Sequence, residues 1–374
     1  SVLGQKAHTW QTDRFLLYLR THAVQGRVDS ITRPIPCQVA LASGAWQGRC
    51  CRSLLVTLPN MGRKLSRKVA HMTNCLYVLL TMDCETAKQE VTPHGTRMSA
   101  SGPWDYEESD QSIRGYASIA ESYGLPVTLI AHAEVAVGNR DLLLELQSRG
   151  HCLGLHLHPY KFAGQGYLED LGAYSAEEQR EMLSAAAGLW DRALGQRPLY
   201  FRAGYFSGND STFRVLQELG FRGGSLSNPG RVLPEHHSVW AGAEDYPHRA
   251  NLDFRQRAGT SSFIEVPVSV DYQRPVQIGA AGEQGYEWPY VPAPYDHQAV
   301  VEDVLERTRV DAPRYGTLVL DTHNDQDYLD PDYFATVNLR LILDTVFSLC
   351  EDTNLQPVGA TLESMCDLLS SDGG

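Results

Sequence analysis

The sequence predicts an α/β protein built on parallel strands, arranged as an open sheet or as a barrel. Three observations favour this class: strand-like and helix-like segments alternate from residue 76 onward, about seven strands can be counted, and polar residues directly follow several of them. The chain has 374 residues, of which 43% are hydrophobic and 21% charged, as in an ordinary globular protein. This length fits one large domain or two small ones.

The predicted strands are short apolar runs bounded by turn residues. In the first of them, over residues 76–82, the apolar residues are continuous, which is typical of a strand buried on both faces of a parallel sheet. Eight such runs, about seven of which alternate with helices, cover residues 76–82, 126–131, 151–157, 199–201, 222–226, 263–269, 315–320 and 357–360.

The helices between these strands are marked by apolar stripes and by capping residues. Ser175 and Glu178 have the spacing of a capping box, and Gly195 ends the helix that they open. Asn139 can cap a further helix, which Gly150 closes. The predicted helices cover residues 111–123, 139–148, 175–195, 210–219, 297–308 and 332–350.

Two long segments, residues 227–260 and 271–296, are rich in Gly, Pro, Tyr and His and are predicted to be loops, which are often functional at this length. Large aromatic residues in loops suit the flat faces of sugars, but they more often pack the loop itself. The loop histidines at positions 236, 237 and 248 are interpreted as solvated. The aromatic residues considered for a sugar site are Trp240, Tyr246, Trp288 and Tyr290.

Charge is distributed unevenly along the chain. Residues 1–75 contain 11 Lys or Arg and only 2 Asp or Glu, although the whole chain carries a net charge of -13. This basic segment could be a small subdomain, an organelle-type leader or an artefact. We favour the last interpretation because a domain could naturally begin at Met72, just before the first predicted strand. The prediction is a basic N-terminal extension over residues 1–71 and a catalytic domain over residues 72–374.

Composition also limits the partners and the compartment. The excess of 45 acidic over 32 basic residues argues against nucleic-acid binding. No apolar run approaches the roughly 20 residues of a membrane helix, so no membrane span is predicted. Eight cysteines without a Cys-x-x-Cys pair or a secretory signal favour a reducing, cytoplasmic location.

Titratable residues follow the predicted strands at four places. Asp83 and Glu85 are two residues apart, as are His156 and His158, and on extended backbone this spacing directs both members of a pair to the same side. Ligands of parallel α/β folds bind at the carboxyl ends of the strands, where these residues lie. One carboxylate and two imidazoles suit Zn²⁺ or a similar divalent ion.

Hydrolysis at such an ion needs a general base and a general acid. Asp83 and His323 could supply them, and Arg202 could keep Asp83 ionised and oriented. Each residue alone has a commoner explanation, as a helix cap, an ion-pair residue or a core histidine. Their occurrence in order at successive strand ends favours a site.

Four motifs at these strand ends resemble those of the polysaccharide deacetylases with a NodB homology domain, especially their divergent intracellular members. The resemblance spans about residues 76–365, and the strand at Glu265-Val-Pro-Val-Ser269 also matches. The four motifs are Thr81-Met-Asp83-Cys-Glu85, His156-Leu-His158-Pro, Arg202-Ala-Gly-Tyr205 and Leu320-Asp-Thr-His323.

This resemblance implies a distorted (β/α)7 barrel and a metal-dependent hydrolase that removes an acyl group, typically acetyl, from an amide-linked amino sugar. Glu85, His156 and His158 would be the metal ligands, and the divalent ion would most simply be Zn²⁺. The implied partner is a carbohydrate or a small amide.

The resemblance also implies catalytic roles. Asp83 would be the base, His323 the acid and Arg202 the residue that orients the base. Tyr205 would offer its backbone N–H to the oxyanion, on which charge develops only during the reaction.

The sequence departs from the family pattern in three ways. Cys84 stands where the commonest metal Asp would be, so that either Cys84 or Glu85 could be the ligand. The two histidines are separated by one residue instead of three, and Gly204 replaces a proline. His132 and Glu134, just past the second strand, could replace a lost ligand.

Two other functions stay open on these observations. The departures would also fit a carbohydrate-binding module on a deacetylase scaffold that has lost its activity. Hydrolysis of a non-sugar amide, such as a ureide or a cyclic imide, is the third alternative.

Overall fold

The computed structural model describes residues 75–92, 95–98, 101–162, 166–277, 284–353 and 355–371. The predicted basic extension over residues 1–71 lies outside the described residues, and the proposed domain division stays a prediction. None of the helices in this part of the chain is long and apolar enough to cross a membrane.

Seven parallel strands form the centre of the fold, in the order β11-β7-β6-β5-β4-β1-β14. Apart from its first residues, β1 is buried throughout, as its continuous apolar run predicts. The described strands are β1 (Cys75–Cys84), β2 (Gln89–Thr92), β3 (Gly95–Met98), β4 (Val127–His132), β5 (Cys152–Leu157), β6 (Tyr200–Ala203), β7 (Gly223–Gly224), β8 (Val232–Leu233), β9 (Ser238–Val239), β10 (His248–Arg249), β11 (Ile264–Glu265), β12 (Asp271–Gln277), β13 (Gln284–Glu287), β14 (Gly316–Leu320) and β15 (Gln356–Gly359).

The chain that follows β11 closes this sheet into a barrel. The backbone N–H of Ser269 donates to the carbonyl oxygen of Val319 in β14 at 3.2 Å, and the N–H of Val319 donates to the Ser269 hydroxyl at 3.0 Å. The seam consists of these few hydrogen bonds instead of a regular ladder, so the barrel is distorted. The predicted (β/α)7 barrel is confirmed.

Helices connect the strands, and several of their ends follow the capping signals in the sequence, although the Asn139 side chain makes no capping hydrogen bond with the helix over residues 140–148. The predicted capping box is present in α4, where Ser175 accepts from the N–H of Glu178, and Gly195 ends the helix at a φ of 72°. The first helix begins earlier than predicted because Asp105 caps it. The helices are α1 (Tyr106–Ser122), α2 (Ala133–Gly138), α3 (Arg140–Ser148), α4 (Ala176–Leu194), α5 (Thr212–Glu218), α6 (His297–Asp311), α7 (Phe334–Thr353) and α8 (Leu362–Ser371).

The segment predicted as a loop over residues 271–296 instead contains two antiparallel strands, and that prediction was wrong. β12 and β13 join β8 and β9, from the other predicted loop, in a separate four-stranded sheet. The alternation in β12 is between half-buried and exposed residues, and Pro275 interrupts it. A strand with so little apolar contrast and an internal proline gives no clear period-two signal.

The buried carboxyl group of Glu265, near the seam, should make the stability of the protein depend on pH. Glu265 Oε1 accepts hydrogen bonds from the N–H groups of Leu226 and Ser227 and from the Ser227 hydroxyl, each at 2.8 Å. Burial raises the pKa of Glu265 to about 7. Between pH 4.5, the ordinary pKa of a glutamate, and about pH 7, Glu265 is therefore protonated in the folded protein but ionised in the unfolded chain. Its contribution to the free energy of unfolding falls as the pH rises through this range.

We expect Glu265→Gln to remove this dependence and to stabilise the protein above pH 7, by roughly 3 kcal/mol at most. Urea unfolding of wild type and variant at pH 5 and pH 8 measures the difference. The control is Glu306→Gln, an exposed residue paired with Arg309. An equal effect of Glu265→Gln at both pH values would contradict the assignment.

Candidate metal and catalytic site

The barrel brings the four predicted strand ends to one mouth. Asp83 is the penultimate residue of β1, and its N–H donates to the carbonyl oxygen of Thr322, just past β14, at 2.8 Å. In the parallel register, β5 and β6 pair His156 with Arg202. Every residue predicted for the site therefore lies on or just after the carboxyl end of a barrel strand, where ligands of such folds bind.

One carboxylate and two imidazoles lie together at the floor of this mouth. His158 Nε2 is 3.0 Å from Glu85 Oε1, and His156 Nε2 is 3.5 Å from the same oxygen. All three residues are buried, and one ligand atom from each lies within 4.8 Å of the others. These donors could hold a divalent metal ion in an open, three-ligand site.

The orientation of His156 fits a metal ligand. Its Nδ1 lies 3.0 Å from the carbonyl oxygen of Arg202, which fixes the proton on Nδ1 and leaves the lone pair on Nε2. Among the described residues Nε2 has no hydrogen-bond partner, although it is buried. Burial lowers the pKa of His156 to about 4, so the ring is neutral at pH 7, as metal binding requires.

A buried lysine that the sequence analysis missed holds the carboxylate of this trio. Lys161 Nζ lies 2.8 Å from Glu85 Oε2 and 2.7 Å from the Ser101 hydroxyl. Burial alone would raise the pKa of Glu85, but His158 and Lys161 hold it well below its ordinary value. With Oε2 occupied by the ammonium group, Glu85 presents Oε1 to the histidines as a single donor atom.

Two more residues outside the predicted set lie behind His158. Asp170 Oδ1 is 3.8 Å from His158 Nδ1, and Asp170 Oδ2 contacts His236 Nδ1 at 2.7 Å. His236 stacks on the ring of Tyr205 with 3.9 Å between the centroids. His236 is therefore half-buried against Asp170 and Tyr205, and its interpretation as a solvated loop histidine was wrong.

Asp83 lies in a network of buried charges. Its Oδ1 is 3.0 Å from Arg202 Nη1, which also contacts Asp321 Oδ1 at 2.6 Å. The Arg202 side chain is fully buried, and its other nitrogens donate to the carbonyl and hydroxyl oxygens of Ser225. Burial raises the pKa of Asp83 to about 7, against the opposing effect of Arg202. A carboxylate in this range can accept a proton near neutral pH.

His323 faces the trio from the adjacent strand end. Its Nε2 lies 3.9 Å from Glu85 Oε1, and its Nδ1 lies 2.8 Å from the hydroxyl of Tyr290. Tyr290, one of the four aromatic residues considered from the sequence, thus fixes the orientation of the imidazole. Asp83 and His323 are bridge partners in the backbone, which places the predicted base and acid side by side.

Gly204 and His158, at two of the places where the sequence departs from the family pattern, lie against each other. A Cβ atom at position 204 would lie 2.0 to 2.3 Å from three atoms of the His158 ring. A proline there would collide with an imidazole in this position, so the glycine leaves room for His158. Tyr205, the next residue, has a φ of 55°, a strained conformation of the kind found at functional sites.

The alternative ligands do not join the trio. Cys84 is buried beside the carbonyl oxygen of Met82, and burial raises the pKa of its thiol well above the ordinary value. His132 uses both ring nitrogens: Nδ1 lies 3.2 Å from Glu134, and Nε2 accepts the N–H of His158 at 2.9 Å. In this geometry Glu85, and not Cys84, lies with the two histidines, and His132 supports the backbone of His158.

A cavity of about 390 Å³ opens above the trio. The wall of the cavity next to the trio is formed by titratable residues, and the other walls are largely aromatic. The titratable residues are Asp83, Glu85, His158 and His323. Of the four aromatic residues considered from the sequence, Trp288 and Tyr290 line it. Trp240 is instead buried, with its indole N–H donated to the carbonyl oxygen of Phe206, and it packs the loop.

Comparison with known proteins agrees with this architecture. Residues 104–224 match the model of the family described as "Polysaccharide deacetylase". Over these residues the chain is similar to the polysaccharide deacetylases, the family that its four motifs resemble. None of the curated proteins compared with the sequence is a match.

Three solved structures illustrate the fold. A candidate glycoside hydrolase/deacetylase from Parabacteroides distasonis has a TM-score of 0.55 at 12% identity, with 79% of this chain and 71% of that chain covered. The PuuE allantoinase has a TM-score of 0.51 at 13% identity, and a candidate polysaccharide deacetylase from Mycobacterium smegmatis has 0.50 at 16%. Each of these two alignments covers 80% of this chain and 92% of the other. At such identities the similarity concerns the fold.

Proposed function

We propose that this protein is a metal-dependent hydrolase that removes an N-acyl group, typically acetyl, from an amino sugar or glycan. The observation that carries this proposal is the buried trio of Glu85, His156 and His158, in which the lone pair of a neutral imidazole faces a carboxylate and has no described partner. The family relation supports the hydrolytic deacetylase chemistry.

The ion we propose is Zn²⁺, because two imidazoles and one carboxylate that leave a position open are its usual catalytic ligands. When bound, it would polarise the substrate carbonyl and lower the pKa of a water molecule. Lys161 and the carbonyl oxygen of Arg202 orient Glu85 and His156 for this role.

The surrounding residues would carry the proton transfers. Asp83 takes a proton from the attacking water, and Arg202 keeps its carboxylate in place. As the amide C–N bond breaks, His323 gives a proton to the departing amine, with its ring held by Tyr290. The N–H of Tyr205 would donate to the oxygen that becomes negative, where a fixed donor lowers the barrier most.

Removal of the metal is expected to abolish the activity. We predict that a chelator stops acetate release from an N-acetylated chito-oligosaccharide, and that one equivalent of Zn²⁺ restores it. A parallel panel with allantoin tests the non-sugar amide alternative. Acetate release that persists in protein shown by elemental analysis to be metal-free would refute the proposal, and glycan affinity without metal or activity would instead indicate a binding module.

We also propose the cytoplasmic location predicted from the composition. The five cysteines in the described part of the chain are all free thiols, which supports a reducing compartment. Thiol titration of protein isolated under non-reducing conditions tests this, and disulfides among these cysteines would contradict it.

A further inference from the structure

A buried arginine in the wall of the cavity lacks an anionic partner. Arg231 precedes β8 and is only 9% exposed, yet none of the described carboxylates forms an ion pair with its guanidinium group. Its Nε is among the buried atoms that have no hydrogen-bond partner in the described residues. The two other buried cations of the site differ in this respect, since Arg202 contacts Asp83 and Lys161 contacts Glu85.

The surroundings of Arg231 do not neutralise its charge. The guanidinium carbon lies 5.5 Å from the centroid of the Phe206 ring, and the ionisable groups that act on it are the phenols of Tyr205, Tyr290 and Tyr295. Burial raises the pKa of each of these phenols, so they are uncharged at neutral pH. Burial lowers the pKa of Arg231 to about 10, which still leaves it cationic.

Burying a cation without a partner costs several kcal/mol, so such a group calls for a specific explanation. The backbone holds Arg231 firmly in place: its N–H donates to the carbonyl oxygen of Asn228 at 3.1 Å, and its own carbonyl oxygen accepts the N–H of Trp240 at 2.8 Å. The backbone from which the guanidinium group extends is thus fixed by the fold.

Arg231 lines the same cavity as the catalytic residues. Arg202, which holds Asp83, lies 5.3 Å from the Phe206 ring on which Arg231 also lies. Tyr290, whose hydroxyl contacts His323, lines this cavity together with Arg231. A substrate whose amide lies over the trio can therefore place a neighbouring substituent against this guanidinium group.

We infer that Arg231 recognises an anionic group on the substrate, so that the preferred substrate is an N-acylated amino sugar bearing a carboxylate or a phosphate instead of a neutral one. This inference rests on the proposed hydrolase function and names its substrate class. Carboxylate and phosphate share the chemistry that a guanidinium fork binds with two parallel hydrogen bonds.

Calorimetric binding to the zinc-loaded full chain tests this with three probes. N-acetylglucosamine is the neutral probe, N-acetylmuramic acid adds a carboxylate, and N-acetylglucosamine 6-phosphate adds a phosphate. We expect one of the anionic probes to bind wild type at least about 30-fold more tightly than the neutral one, as for a desolvated ion pair. Which probe binds more tightly identifies the anion.

Arg231→Gln should abolish this preference while changing the affinity for the neutral probe by less than about threefold, and Arg231→Lys should retain part of it. The matched control is Arg214→Gln, which removes an exposed arginine paired with Asp253. Equal or absent binding of the anionic probes to wild type, or a preference that survives in Arg231→Gln, would overturn the inference. If Arg231→Gln does not fold, the wild-type preference and the Arg231→Lys variant decide.

The same samples separate this inference from the proposed function. A preference for anionic probes that depends on Arg231, without any acetate release, would refute the proposed hydrolase function and still support the anion site. Acetate release from neutral and anionic probes at equal kcat/KM would support the hydrolase function and refute the anion site.

Discussion

Asp83→Asn is expected to lower kcat/KM for acetate release by about 10³-fold, the usual contribution of a general base. Asparagine keeps the shape of the side chain and an oxygen for Arg202, which lies 3.0 Å from Asp83 Oδ1, but it cannot accept a proton. The three proposed metal ligands are unchanged in this variant, so zinc content should stay at the wild-type value. Acetate release and elemental analysis on the same samples measure both effects.

The control for this variant is Asp110→Asn, which removes the same charge from a surface residue paired with Arg114. It should leave the rate within about twofold of wild type, as expected for an exposed ion pair. An Asp83→Asn variant that releases acetate at the wild-type rate would remove Asp83 from the mechanism.

Gly204→Ala is expected to weaken zinc binding by about 100-fold or more, although residue 204 is not itself a ligand. The new Cβ would lie about 2 Å from the ring atoms of His158, so the imidazole must leave its place beside Glu85. Displacing a ligand costs at least as much as losing one of its supporting contacts, which typically lowers metal affinity by about 10- to 100-fold. Competition with a chromophoric chelator measures the dissociation constant.

Two variants control for a general effect on folding. In Gly188→Ala, within α4, the new Cβ would meet only the end of the Arg192 side chain at 3.5 Å, so zinc binding should be unchanged. Combining Gly204→Ala with His158→Ala removes the collision, and the double variant should unfold at nearly the same urea concentration as His158→Ala alone. Wild-type zinc affinity in Gly204→Ala would show that His158 does not bind the ion.

The architecture could be predicted because it depends on local signals. Continuous apolar runs such as β1, the capping box at Ser175 and the glycine at position 195 each fix an element from nearby residues alone. The order of titratable residues at the strand ends then gave the candidate site, since parallel strands bring their carboxyl ends to one edge.

The residues that sequence reasoning missed are polar side chains whose roles depend on tertiary contacts. Lys161 lies only three residues after His158, and nothing local indicates that its ammonium group turns inward to Glu85. Asp321 stood within a recognised motif, but its contact with Arg202 crosses the barrel. Arg231 lies in a segment predicted as a loop, where an arginine side chain is ordinarily exposed.

The surface sheet was missed for a related reason. β12 and β13 pair through backbone hydrogen bonds, and their side chains carry little of the apolar alternation from which strands are predicted. Trp288, Tyr290 and Trp240, in contrast, were all considered for a sugar site from the sequence. Only the fold shows that Trp288 and Tyr290 line the cavity, whereas Trp240 packs the loop.

A crystal structure of the protein grown with Zn²⁺, with anomalous diffraction recorded on both sides of the zinc absorption edge, tests the central claim most directly. The account predicts one strong peak within about 2.0 to 2.2 Å of Glu85 Oε1 and of one ring nitrogen each from His156 and His158. A peak on Cys84 or at another place on the chain, or no peak at all in zinc-saturated crystals, would contradict it.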